Sequence, residues 1–276
     1  MPSAPNGPTF PLVARRRIAG TPFGAVRSSR RGPGLDLAGL RPYRPGDDFR
    51  FIDRRASARR SSLADDDEFV VREHLTEEAT RVVVLADRSP TMALYSEELP
   101  WLSKPAVVAA ACAVIAESAG RARCRAELPA SDTPLGEQLE ALANREKPPP
   151  AGAFVFVLSD FLCFPSLGVW ETALGRRWDV VPVVIQDPTW EQSFPDVAGV
   201  VVPFADPASA RIVHVRLTRD ETARLRREHE NRLTGIAAAF NALALDWVLL
   251  STSERDDVLQ AFIEWAIVRQ TGARLR

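Results

Sequence analysis

The chain has 276 residues, a formal net charge of −1 at pH 7, 46% hydrophobic residues and 26% charged residues, the make-up of a globular protein with a sizeable core. That balance excludes a uniformly basic nucleic-acid binder. The longest apolar stretches, Ala106–Ala116 and Ile236–Leu250, exclude a membrane span, the first by its length and the second by Asn241 and Asp246. Cys112, Cys124 and Cys163 are widely spaced without a CxxC pair and fit reduced thiols. At the amino terminus the charges follow the apolar residues, which is not signal-peptide order, so the expected location is the cytoplasm.

In chain order, residues 1–19 are Pro-rich and then basic (Arg15, Arg16, Arg17) and are expected to form a disordered tail. Residues 20–75 form an amino-terminal segment of their own. Within it Thr21–Gly34 reads as loop, Pro45-Gly46 marks a tight turn, and Asp47 or Asp48 can cap a short helix near Phe49. Asp67–His74 reads as a strand feeding towards the centre of the fold. Residues 1–60 carry thirteen arginines against Asp36, Asp47, Asp48 and Asp53. A solvated basic face and a surface for an acidic partner, nucleic acid included, are both compatible with that excess. The interspersed acids favour internal Arg–carboxylate pairs that lock turns in place.

Residues 76–276 read as one α/β domain. Val82–Leu85 is a β-branched run suited to a strand buried on both faces. Lys104–Ala119 is an Ala/Val-rich helix, and Arg121–Leu128 a weak, edge-type strand. A helix opens at Asp132-Thr133-Pro134 and runs to about Arg145. Phe154–Leu158 is a second apolar strand ending in Ser159-Asp160, followed by a helix over Ser166–Arg176 and a strand over Val180–Ile185. Val197–Val202 and Ile212–Leu217 read as an inserted β-hairpin. Thr218 caps a long charged helix through about Asn241, Trp247–Leu250 is the last strand, and Glu254–Arg269 the closing helix. Strands alternating with helices imply a doubly wound, mainly parallel sheet.

The chemistry concentrates in Arg81–Met92, RVVVLADRSPTM. Asp87, Ser89 and Thr91 place one carboxylate and two hydroxyls at alternate positions beyond the carboxyl end of a central strand, where open α/β sheets bind ligands. Oxygen donors of this kind suit a hard cation. Mg²⁺ takes them in octahedral order and keeps several waters, and Mn²⁺ or Ca²⁺ would be held by the same atoms. Taken alone, the triplet is also ordinary turn chemistry. Arg88, between the donors, is expected to point away.

The run GLRPYRPGDDFRFIDRRASAR, then VREH, then the strand ending in ADRSPTM resembles the bacterial domain-of-unknown-function 58 family, whose members carry a von Willebrand factor A-like domain. Arg41, Tyr43, Pro45, Gly46, Asp47, Asp48, Arg50, Ile52, Asp53, Ala58 and Arg59 stand where the family pattern asks. Arg54 replaces the usual tryptophan, and Thr91 replaces a serine while keeping the hydroxyl. The resemblance implies a Rossmann-like, von Willebrand A-like fold and a metal-ion-dependent adhesion site made of Asp87, Ser89, Thr91, Thr133 and Asp160. It also implies a partner, a MoxR-type AAA+ ATPase or a client protein offering a carboxylate.

No GxSxG elbow, phosphate-binding Gly-Lys-Ser/Thr loop or GxGxxG follows a strand, and His74, His214 and His229 are far apart in sequence. The expectation is therefore a non-enzymatic, metal-dependent protein-interaction module. A binder of anionic partners such as nucleic acid, through the Arg-rich segment, and a metal-assisted hydrolase are the competing classes.

Overall fold

Valine- and phenylalanine-rich runs become the inner strands because their side chains fill both faces of a sheet while the backbone pairs within it. The computed structural model describes residues 7–14, 26–31, 37–44, 47–61, 69–78, 81–93, 101–205 and 211–274. The chain divides into two units, Arg17–Ala79 and Met1–Arg16 with Thr80–Arg276.

The smaller unit is a three-stranded antiparallel sheet in the order β1-β3-β2, built from β1 (Val26–Arg31), β2 (Leu37–Pro42) and β3 (Val70–Glu78). Thr21–Gly34, expected to be loop, thus contains a strand. Its VRSSRR sequence lacks apolar alternation, and pairing with β3 supplies the order. The strand expected over Asp67–His74 is the centre of this sheet, between β1 and β2. Asp48 caps a 3₁₀ turn at Phe49–Phe51, accepting from Arg50 N. Asp53 then accepts from Arg55 N and Ala56 N at the start of α1 (Arg54–Ser61). Ser57 ties α1 to β3 by donating to Asp53 O and accepting from Val70 N at 2.9 Å. The Pro45-Gly46 turn lies outside the described residues.

In the larger unit, β4 (Arg81–Ala86) leads through a 3₁₀ turn at Pro90–Ala93 to α2 (Lys104–Arg121). The elements β5 (Arg125–Glu127), α3 (Leu135–Ala143), β6 (Phe154–Ser159), α4 (Leu167–Gly175) and β7 (Asp179–Ile185) follow. A separate antiparallel hairpin, β8 (Val201–Ala205) and β9 (Ile212–Arg216), precedes α5 (Arg219–Ala242), β10 (Val248–Leu250) and α6 (Arg255–Arg274). The central sheet is wholly parallel, in the order β10-β7-β6-β4-β5. This is a doubly wound, Rossmann-like α/β architecture. Pro182 is tolerated inside β7 because β10 begins only opposite Val183. Thr218 caps α5 through a reciprocal box with Glu221.

Side chains alternate between two cores. Val82, Val84, Phe156, Leu158, Val183 and Ile185 pack with α2 and α6, whereas Val83, Leu85, Val155, Val157 and Val184 pack with α3, α4 and the Ile236–Phe240 turn of α5. Each such side chain contributes about 1.5–3 kcal/mol on full burial. The expectation of a disordered tail fails over residues 7–14. Phe10 and Val13 are buried in the first core, and Phe10 stacks on the Phe262 ring with centroids 4.8 Å apart. A Pro-rich composition hid two apolar anchors. Among the described residues no helix is long and apolar enough to cross a membrane.

Candidate functional site

The strand order makes a topological switch. From β4 the chain goes first to β5 on one side and then to β6 on the other, so the loops leaving β4 and β6 diverge and open a crevice at their carboxyl ends. Asp87 directly follows β4 and Asp160 directly follows β6, and Asp87 N donates to Leu158 O at 2.8 Å, joining the two strand ends.

Asp87 is buried, and both carboxylate oxygens are used. Oδ1 accepts from Ser89 N at 2.8 Å and Oδ2 from Ser159 Oγ at 2.6 Å. The first bond folds the Asp-x-Ser turn, which brings Ser89 Oγ to 2.9 Å from Thr91 Oγ1. That contact is a hydrogen bond between the two hydroxyls, and adjacent ligands of an octahedral ion held at roughly 2.0–2.1 Å also lie about 2.9 Å apart. Arg88 points outward, its guanidinium 3.7 Å from the exposed Asp132.

The other two expected donors are engaged differently. Thr133 is exposed, and its hydroxyl pairs with Ser131 Oγ at 2.9 Å in its own loop. That loop is tied to the end of β4 through Gln138, whose amide donates to Thr133 O and Ala86 O. Asp160 is fully buried. Its Oδ1 accepts from Leu162 N, and its Oδ2 accepts from the Lys104 ammonium at 2.8 Å. Among the described residues no group of three or more His, Cys, Asp and Glu side chains is placed to hold a metal. Asp87, Ser89 and Thr91 thus lie together on the β4 side, where a divalent ion would have to replace the Ser89–Thr91 hydrogen bond, whereas Asp160 is paired with a cation and the Thr133 hydroxyl lies in its own loop.

Lys104 is the residue that pattern reading missed. It enters the crevice from the first turn of α2 and is 5% exposed. Its ammonium donates to Asp160, to Thr91 O at 3.1 Å and to Glu191. Burial is the largest single influence on Lys104 and disfavours its charge, but attraction to Glu191 and Asp160 outweighs it and raises the pKa above the ordinary lysine value. The Glu191 loop is itself fastened. Asp187 accepts from Thr189 N, Trp190 N and Trp101 Nε1, and Glu191 Oε2 accepts from Asp187 N. Gln186 donates to Asp160 O at 2.6 Å, joining the ends of β6 and β7. One signal for Lys104 was available: a lone cation at a helix amino terminus opposes the helix dipole and calls for an acidic partner.

His229 sets Nδ1 against Ser193 O, and His214 is exposed on β9. Burial pushes the Cys112 thiol up to about 11. In the smaller unit, Arg41 grips Asp47 through two bonds of 2.6 Å, Arg50 pairs with Asp48, and Arg72 pairs with Asp53. The acids of the Arg-rich segment thus clamp its turns.

The sequence profile described as "Protein of unknown function DUF58" matches residues 39–133 and 124–235, more than half of the chain. The chain belongs to the DUF58 family. Within this DUF58 chain the matched region takes in most of β2, then α1 and β3 of the smaller unit, and in the larger unit it runs from β4 into α5. A comparison with curated proteins gave no match. Among solved structures, the conserved hypothetical protein BatB from Bacteroides thetaiotaomicron is similar at 12% identity and a TM-score of 0.33, covering 68% of this chain and 100% of that one.

Proposed function

We propose that this protein is a non-enzymatic protein-recognition module whose crevice holds a divalent ion and, through it, a carboxylate of a partner protein. Asp87, Ser89 and Thr91 would hold the ion, Mg²⁺ or else Mn²⁺ or Ca²⁺. When bound, the ion supplies a hard positive charge that an incoming carboxylate can complete. The observation that carries the reading is the convergence of the Ser89 and Thr91 hydroxyls, hydrogen-bonded to each other at 2.9 Å, beside the buried Asp87 carboxylate at the sheet's switch point. Ser89 N and Ser159 Oγ orient the Asp87 oxygens, and the first of these bonds sets the turn that carries both hydroxyls. The partner implied by the family resemblance is a MoxR-type AAA+ ATPase or a client that it acts on, in the cytoplasm.

Immobilised full-length protein, wild type and Asp87→Ala, would be used to capture partners in Mg²⁺ and in EDTA, with identification by mass spectrometry. A MoxR-type ATPase retained only by the wild type in Mg²⁺ is the expected result. Equal retention in EDTA and by the variant would refute the proposal.

A further inference from the structure

The ammonium of Lys104 has three protons, and three acceptors meet it from the segments that follow three neighbouring strands. Thr91 follows β4, Asp160 follows β6 and Glu191 follows β7. The cation is nearly inaccessible to water, and no proton is left over for a partner. Its position answers the need of the site. Asp160 is 0% exposed, and a buried carboxylate without a counter-charge is strongly unfavourable. A metal ion can provide that counter-charge. Here a side chain does.

We infer that Lys104 is the resident cation of the crevice, fixing its three loops without metal and withdrawing Asp160 and Glu191 from the donors open to a divalent ion. An ion entering beside Thr91 would then rest on Asp87, Ser89 and Thr91, because the charge of Asp160 is already met by the ammonium. Like charge opposes any ion that would share Asp160 with Lys104. Lys104 also positions a donor, since the Thr91 whose carbonyl it binds carries one of the two convergent hydroxyls. The inference rests on the proposed function for its divalent ion, while the Lys104 contacts themselves are independent of it.

The test is calorimetric titration of MgCl₂ into metal-stripped full-length protein in four forms: wild type, Asp160→Asn, Lys104→Met and the double variant. Asp160→Asn is expected to leave wild-type affinity within about threefold. The same change in the Lys104→Met background is expected to cost tenfold or more, because ligand charge count sets affinity once the carboxylate is freed. A tenfold loss from Asp160→Asn in the wild type would overturn the inference, as would no effect in the Lys104→Met background. Mg²⁺ bound by Lys104→Met but by neither the wild type nor the double variant would support the resident cation while refuting a metal-competent native site. Lys104→Gln, which retains a donor, replaces Lys104→Met should the latter not fold.

Discussion

Truncating Phe10 to alanine tests whether residues 7–14 belong to the domain's core. Its ring is 2% exposed, stacks on Phe262, and meets Phe156 and Trp265 edge-on with centroids 6.3 and 6.0 Å away. Removing a buried phenylalanine costs about 3–5 kcal/mol through lost transfer free energy and the cavity left behind. Loss of three aromatic contacts places this case towards the upper end. The segment is also held by Phe10 N on Ser118 Oγ at 3.2 Å and by Arg269 Nη1 on Val13 O at 3.0 Å, so it should resist simply peeling away. At about 2–4 °C per kcal/mol for a chain of this size, the melting temperature should fall by roughly 6–20 °C. Thermal unfolding followed by circular dichroism, with urea unfolding as a second probe, measures it. A shift below about 2 °C would refute the assignment of this segment to the core.

Lys104→Met in EDTA should destabilise the protein by about 3–5 kcal/mol, since it strands buried carboxylates, and urea unfolding would show it. In the smaller unit, Arg41 and then the Arg44 amide hold the Asp47 carboxyl down at about 2, from an ordinary 3.8. Its folded pKa is depressed, so its contribution to stability is present above about 3.8 and is lost as pH falls through about 2. A carboxyl-detected NMR titration should therefore place its midpoint near 2 in the wild type and distinctly higher in Arg41→Met. Thiol labelling at pH 7.5 should modify the exposed Cys163 well before Cys112, whose thiol is held near 11 by burial. Equal rates at both would contradict the packing of α2.

Most strands and helices of the larger unit were legible because their apolar runs have one dominant period. The Val82–Leu85 and Phe154–Leu158 runs could only be inner strands, and Thr218 with Glu221 announced its helix. The Asp87, Ser89 and Thr91 triplet could be picked out by its place after a strand, but the Asp-x-Ser turn, not strand alternation, brings the two hydroxyls together. What escaped was tertiary. VRSSRR becomes β1 only through pairing with β3, and Phe10 is an anchor only because α6 and β6 present rings to it. The partner of Asp160 stands 56 positions away, at the head of a helix whose composition announced only apolar packing. Thr133, chosen for its place before a helix, turns its hydroxyl to Ser131, while the link from its loop to β4 runs through the Gln138 amide.

Asp87 is proposed to anchor a divalent-ion site just beyond β4. Calorimetric titration of Mg²⁺ into metal-stripped wild type and Asp87→Ala, both first shown to be folded, tests it most directly. Saturable binding by the wild type that is lost in the variant is the predicted result. Binding unchanged in Asp87→Ala, or no binding by the wild type, would contradict it.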